Sequence, residues 1–262
     1  MPKSVPNFER PPINELVCGV VFERLCLFTA PFVGLLWNEY RADFPKAEHA
    51  PLLVSERTAA EALSLEQIQF PRIWFVHRDE RTLIQVQNDR FLFNWRKVER
   101  EDEYPRFAYV IEEFRKHFER FNKFISEHNL GVLEVKTGEL SYINHIPVGE
   151  GWNSLADIGS ILPDMSWQHR EGRYLPTPKL MSWRALFKLP EDKGDLTAKV
   201  DLGRRTTDDR DILVLDLTAR GPVKGSAETM WEWFQVAHDW IVQGFADLTD
   251  PKVQAEIWKR FE

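Results

Sequence analysis

The hydrophobic positions of this chain follow two rhythms. Across residues 105–128, Phe107, Ile111, Phe114, Phe118, Phe121 and Ile125 recur at alternating spacings of four and three. That period puts all six on one stripe of an α-helix, which an apolar surface must cover. The opposite side carries Glu112 with Lys116, Arg115 with Glu119 and Glu119 with Lys123, spaced as i,i+4 ion pairs. Upstream the period becomes two. Residues 73–77, 82–87 and 90–98 alternate as strands, with turns at Asp79-Glu80-Arg81 and Asn88-Asp89. Ile84, Val86, Phe91, Phe93 and Trp95 share one face, suited to lie under the phenylalanine stripe. Leu83, Gln85, Gln87, Arg90, Leu92, Asn94 and Arg96 share the other.

The same rhythms recur along the chain. Residues 13–27 are apolar on both alternating faces, as in a central strand, and Pro31 opens a helical stretch to about Asp43. Residues 49–69 carry weak signals, a short helix over 59–63 within a surface connection. Residues 132–136 and 140–146 predict a hairpin turning at Thr137-Gly138, and 149–178, with Trp152, Trp167 and Tyr174, an ordered connection. Strands follow over 182–189, 195–202 and 212–220. A helix then covers 227–245, with Ser226 as N-cap and Trp231, Phe234, His238, Ile241 and Phe245 as its stripe. Asp250-Pro251 starts a short terminal helix. Three strands and a long helix thus occur twice, a duplicated βββα unit or a coincidence of an economical arrangement. The fold class is α+β, antiparallel sheet packed against two long amphipathic helices. It divides into residues 1–148, a connection over 149–181, and residues 182–262.

Composition adds constraints. With 262 residues, 43% hydrophobic and 29% charged, the chain is long enough for a sizeable core, and its 10 Trp and 18 Phe point to large aromatic anchors. A net charge of -7 argues against general nucleic-acid binding. No apolar run reaches the length of a membrane span, and the proline-rich, mixed-charge start lacks the features of a signal peptide. A cytoplasmic, soluble protein without membrane association is expected. Cys18 and Cys26, close together on an apolar segment, read as buried, reduced core cysteines.

No phosphate-binding glycine loop, nucleophile elbow or zinc-protease motif is present, and the histidines lack metal-ligand spacing. No catalytic residue, metal or cofactor is therefore assigned. His238, on an apolar stripe, reads as a buried, hydrogen-bonded imidazole rather than a catalytic base. The charges at Arg204, Arg205, Asp208, Asp209, Arg210 and Asp211 read as a solvated loop tip. The candidate binding residues are Gln85, Gln87, Arg90, Asn94 and Arg96, with Tyr142, Asn144 and His145 on a later strand. Amides and guanidinium groups on a sheet face form an internal or intersubunit network, a ligand or partner face, or an idle solvated surface. They would suit an extended peptide, an anionic group or single-stranded nucleic acid.

Several stretches carry a resemblance: residues 11–23 (PPINELVCGVVFE), 36–45, 83–91 (LIQVQNDRF) with Asn94-Trp95-Arg96, Tyr104-Pro105-Arg106-Phe107, and Tyr142-Ile143-Asn144. On these the chain resembles a sporadically distributed bacterial and archaeal family of about 250 residues with no known activity. The resemblance implies no chemistry, and its patchy distribution suggests defence or toxin–antitoxin accessory genes. The expected function is binding of a protein or peptide partner, with homo-oligomerisation open. The alternatives are an enzyme assembled around His145, Asn144 and Tyr142, and a single-stranded nucleic-acid binder, which the net charge disfavours.

Overall fold

The structure is a computed structural model that describes residues 5–53, 70–165, 167, 170–205, 208–223 and 227–261. Its elements, in chain order, are β1 (Asn7–Phe8), β2 (Ile13–Phe22), α1 (Ala30–Tyr40), β3 (Lys46–Ala50), β4 (Arg72–Val76), β5 (Thr82–Gln87) and β6 (Arg90–Arg96). Then come α2 (Phe107–Glu127), β7 (Val135–Pro147), β8 (Ser182–Lys188), β9 (Asp195–Arg205), β10 (Arg210–Pro222), α3 (Ala227–Leu248), α4 (Pro251–Glu256) and β11 (Arg260–Phe261). The architecture is mixed α and β around a large antiparallel sheet. Among the described residues no helix is long and apolar enough to cross a membrane. By contacts the chain forms two compact units, residues 17–137 and a discontinuous unit of 1–16 with 138–262.

In the unit of residues 17–137 the strand order is β3-β4-β5-β6-β2. The turns at 77–81 and 88–89 fall where the alternation breaks, and the β5–β6 register pairs Ile84 with Phe93 and Val86 with Phe91. Phe91 stacks on Phe121 of α2 at 4.9 Å between centroids, and Phe93 stacks on His117 at 5.4 Å. The helix therefore covers the predicted apolar face. Its buried stripe is broader than the spacing suggested, because Val110, His117 and Phe124 are also buried while Ile111 is half-exposed. The outer face uses i,i+3 pairs, Glu112 with Arg115 and Glu113 with Lys116, and the i,i+4 pair Lys123 with Glu127. α1 lies against the same layer, where Tyr40 Oη donates to the His117 carbonyl at 2.8 Å. Gly19 of β2 permits close packing beside β6, since a Cβ there would meet Leu92 Cγ at 2.8 Å.

In the discontinuous unit the order runs from the start of β2 through β7, β10 and β9 to β8. Leu213, Leu215, Leu217 and Ala219 of β10 share a face with Leu196, Ala198 and Val200 of β9, and α3 packs on these strands. The predicted hairpin at Thr137-Gly138 is absent: β7 runs straight through both residues. Gly138 is there for packing rather than for turning. It lacks a positive φ, and a Cβ would meet the Trp233 ring at 2.5 Å. Asp250 caps α4 through Lys252 and Val253 N–H, and β11 pairs with β1, which ties residues 7–8 to residues 260–261. The suggested helix over 59–63 and the Ser226 cap lie outside the described residues. The residue 149–178 connection holds a 3-10 turn, Leu155–Ser160, capped by Ser154.

Candidate functional site

The polar face of β5 and β6 is built by pleat and register. Pairing Gln85 with Leu92, Leu83 with Asn94 and Gln87 with Arg90 gathers all six on the side away from α2. Gln85, Gln87, Arg90 and Asn94 are each at most 5% exposed, so every polar atom there needs a partner. Gln85 is the hub. Its Oε1 accepts from Arg72 Nε at 2.9 Å, from the Arg72 Nη2 group and from Trp74 Nε1 at 3.2 Å, while its Nε2 donates to Asn94 Oδ1 at 2.6 Å. Gln87 copies a strand partner, accepting from Leu53 N–H at 3.0 Å and donating to Leu53 C=O at 3.4 Å. Arg90 grips Asp89 with two hydrogen bonds at 3.1 and 3.2 Å. Arg96, half-exposed, donates to the Glu80 carbonyl in the preceding turn. These amide and guanidinium groups tie the chain to itself, and together they dock residues 51–53 on the sheet.

On β7 the pleat separates the second group of candidates. Tyr142 and Asn144 point toward α3, and His145 points to the other face. Tyr142 Oη lies 2.7 Å from His238 Nδ1, and Asn144 Nδ2 donates to the Leu215 carbonyl at 3.0 Å. Burial lowers the His238 pKa to about 4, so the imidazole is neutral at pH 7. It is a satisfied structural histidine. His145 is half-buried, and burial and then the Arg205 cation depress its pKa. Its Nδ1 is sealed without a hydrogen-bond partner. The structure thus does not gather His145, Asn144 and Tyr142 around one point. On the same face of the sheet as His145, Ser141, Thr218 and Asp216 form a chain of 2.7 Å hydrogen bonds, with the Asp216 pKa raised by burial. The Arg204–Asp209 and Arg205–Asp208 pairs close the β9–β10 turn on itself. Among the described residues no three His, Cys, Asp or Glu side chains group as metal ligands.

A cavity of about 510 Å³ is lined by Gln243, Asp247, Thr249 and Arg260 among others. Its polar groups also serve the chain, Thr249 Oγ1 donating to the Phe245 carbonyl and Arg260 Nη1 to Gln254 Oε1.

Among the described residues, β8 carries an edge that is not satisfied from within. It pairs with β9 on one side, Ser182 opposite Asp201 through Lys188 opposite Asp195, and among the described residues no strand pairs with its other side. Arg184, Leu186 and Lys188 alternate on the face away from α3. Leu186 is 62% exposed, neighbouring Phe187 is 40% exposed, and Leu180 just before the strand is 68% exposed. The end strand of the other unit, β3, is Lys46-Ala47-Glu48-His49-Ala50, with Lys46 paired to Glu48 at 2.5 Å. Such charges blunt an edge against pairing, whereas an exposed apolar edge invites it. A sequence signal for β8 existed. Leu186 stands between two cations where an amphipathic strand would carry a polar residue.

No protein-family model matches the chain, and a search of curated proteins finds no significantly similar sequence.

Proposed function

We propose that this is a binding protein, not an enzyme, and that it captures an extended polypeptide as an added strand on β8. The edge of β8, unpaired among the described residues and with Leu186 and Phe187 exposed, carries the reading. Strand addition takes its affinity from main-chain hydrogen bonds and its selectivity from alternate side chains, so it needs no concave pocket. The self-satisfied polar groups around Gln85 and Asn144 supply no competing open site. The test is selection of a displayed random heptapeptide library on the purified protein. Selected peptides should lose binding when alternate backbone nitrogens of one parity are N-methylated, and should lose it to the Leu186→Lys protein. Binding indifferent to both changes overturns strand addition.

The cytoplasm is taken as the compartment from the absence of signal-peptide features and of a membrane-length apolar run in the sequence, and a defence or toxin–antitoxin system as the setting from the family resemblance. Matching meanders, β4-β5-β6 before α2 and β8-β9-β10 before α3, support descent from one duplicated βββα unit with two long amphipathic helices. A superposition that puts the two helices on unlike faces of their meanders disposes of the duplication.

A further inference from the structure

Resting on strand addition at β8, we infer that the added strand is acidic at two positions four residues apart, with apolar residues between them. The occupant is a polypeptide segment of the pattern acid, apolar, apolar, apolar, acid. The inference comes from charges that β8 leaves unmet. Arg184 and Lys188 have neither an ion pair nor a side-chain hydrogen bond among the described residues. The acids of β9 do not meet them. Asp201 is held by Lys199 at 2.5 Å and by Ser182 Oγ at 2.7 Å, and Asp195, opposite Lys188 in register, forms no ion pair with it. β8 itself carries two cations and no acid.

Residues directly opposite across a strand pair have Cβ atoms about 4.5–5.5 Å apart, close enough for a carboxylate to reach a cation. An incoming strand would thus set one acid against Arg184, an apolar side chain against Leu186 and the second acid against Lys188. The three central positions would meet Ala185, Leu186 and Phe187, which are all apolar. The pattern reads the same in both directions, so it fixes composition and register without fixing polarity. A second copy fits this edge less well. Antiparallel pairing of two β8 strands about Ala185 would set Arg184 opposite Leu186 and bring four cations to one face without an acid.

The test uses three fluorescently labelled heptapeptides, Ser-Glu-Val-Ile-Tyr-Glu-Ser and versions with both Glu replaced by Gln or by Lys, titrated by anisotropy at low salt. Two partly exposed ion pairs together give about a tenfold preference. The Glu peptide should bind about tenfold tighter than the Gln peptide, the Lys peptide weakest, and the gap should shrink as salt rises. Reversing both cations, Arg184→Glu with Lys188→Glu, should transfer the preference to the Lys peptide. If all three peptides bind equally and all are lost in Leu186→Lys, the acidic pattern is overturned and strand addition stands. If none binds and the protein is a dimer that Leu186→Lys converts to monomer, a second copy owns the edge and the acidic partner is overturned. If none binds and the protein is monomeric, both the inference and the strand-addition reading fall.

Discussion

The buried Gln85 side chain joins buried Asn94 to half-buried Arg72 and Trp74. Removing it strands several polar groups rather than deleting a contact, and each orphaned buried group costs about 1–3 kcal/mol. Gln85→Ala is therefore expected to destabilise the protein by about 2–4 kcal/mol in urea unfolding. Arg96→Ala, at a half-exposed position, should cost less than about 1 kcal/mol. His238 gives a pH signature. Its folded pKa of about 4 lies below the unfolded value of about 6.5, so the unfolded state binds the extra proton between them. The stability from neutral His238 is full above about pH 6.5 and is lost as pH falls toward 4. His117 adds to the same trend, its pKa lowered to about 3 by burial and then by Lys116 and Arg120. Urea midpoints from pH 7 to 4.5 should fall in the wild type, and His238→Gln should flatten the fall by about 2 kcal/mol. An unchanged slope would contradict a buried neutral imidazole at this position.

At the scale of elements, α2 and the β4–β6 meander depend on a few interlocked rings. Phe121 meets Phe22, Phe28 and Phe91, and it is fully buried. Phe121→Ala should cost about 3–5 kcal/mol, while Phe121→Leu, which refills much of the space, should cost visibly less. β7 is limited by backbone approach. Gly138→Ala forces a methyl into the Trp233 ring, and the expected loss of about 1–3 kcal/mol should shrink when Trp233 is shortened to Leu in the same chain. The α2 stripe and the meander were legible because each repeats its period over many residues. β3 was not: Lys46-Ala47-Glu48-His49-Ala50 has no apolar alternation, and it is a strand only because it pairs in register with β4. Nor was the course of β7, where the Thr137-Gly138 pair that signals a turn instead admits the Trp233 ring.

At the scale of the molecule, the discontinuous unit joins residues far apart in sequence. Phe8 packs edge-on against Phe245 at 5.4 Å, Phe245 packs on Trp258, and Glu9 and Arg10 N–H groups donate to the Lys259 and Trp258 carbonyls. Deleting residues 1–10 uncovers this cluster and leaves β11 unpaired. Loss of the buried Phe8 side chain alone is worth about 2 kcal/mol. A fall in Tm of about 4–8 °C by calorimetry is expected. No linear pattern announces this closure, since Asn7-Phe8 and Arg260-Phe261 are too short to show a period.

The amino-acid sequence alone determined the α+β class, the β4–β6 meander, the long helix α2 with its apolar stripe, and the segregation of Gln85, Gln87, Arg90 and Asn94 to one sheet face. Each of these is a consequence of local periodicity, and periodicity is carried by neighbours in the chain. Tertiary structure decided what those faces meet. It showed the amides and arginines bonded within the protein, Tyr142 matched to His238 across 96 residues, and β8 paired on one side only among the described residues. A side chain's free energy depends on whether its partner is solvent or protein. That choice is made by contacts between distant segments, which no local pattern records.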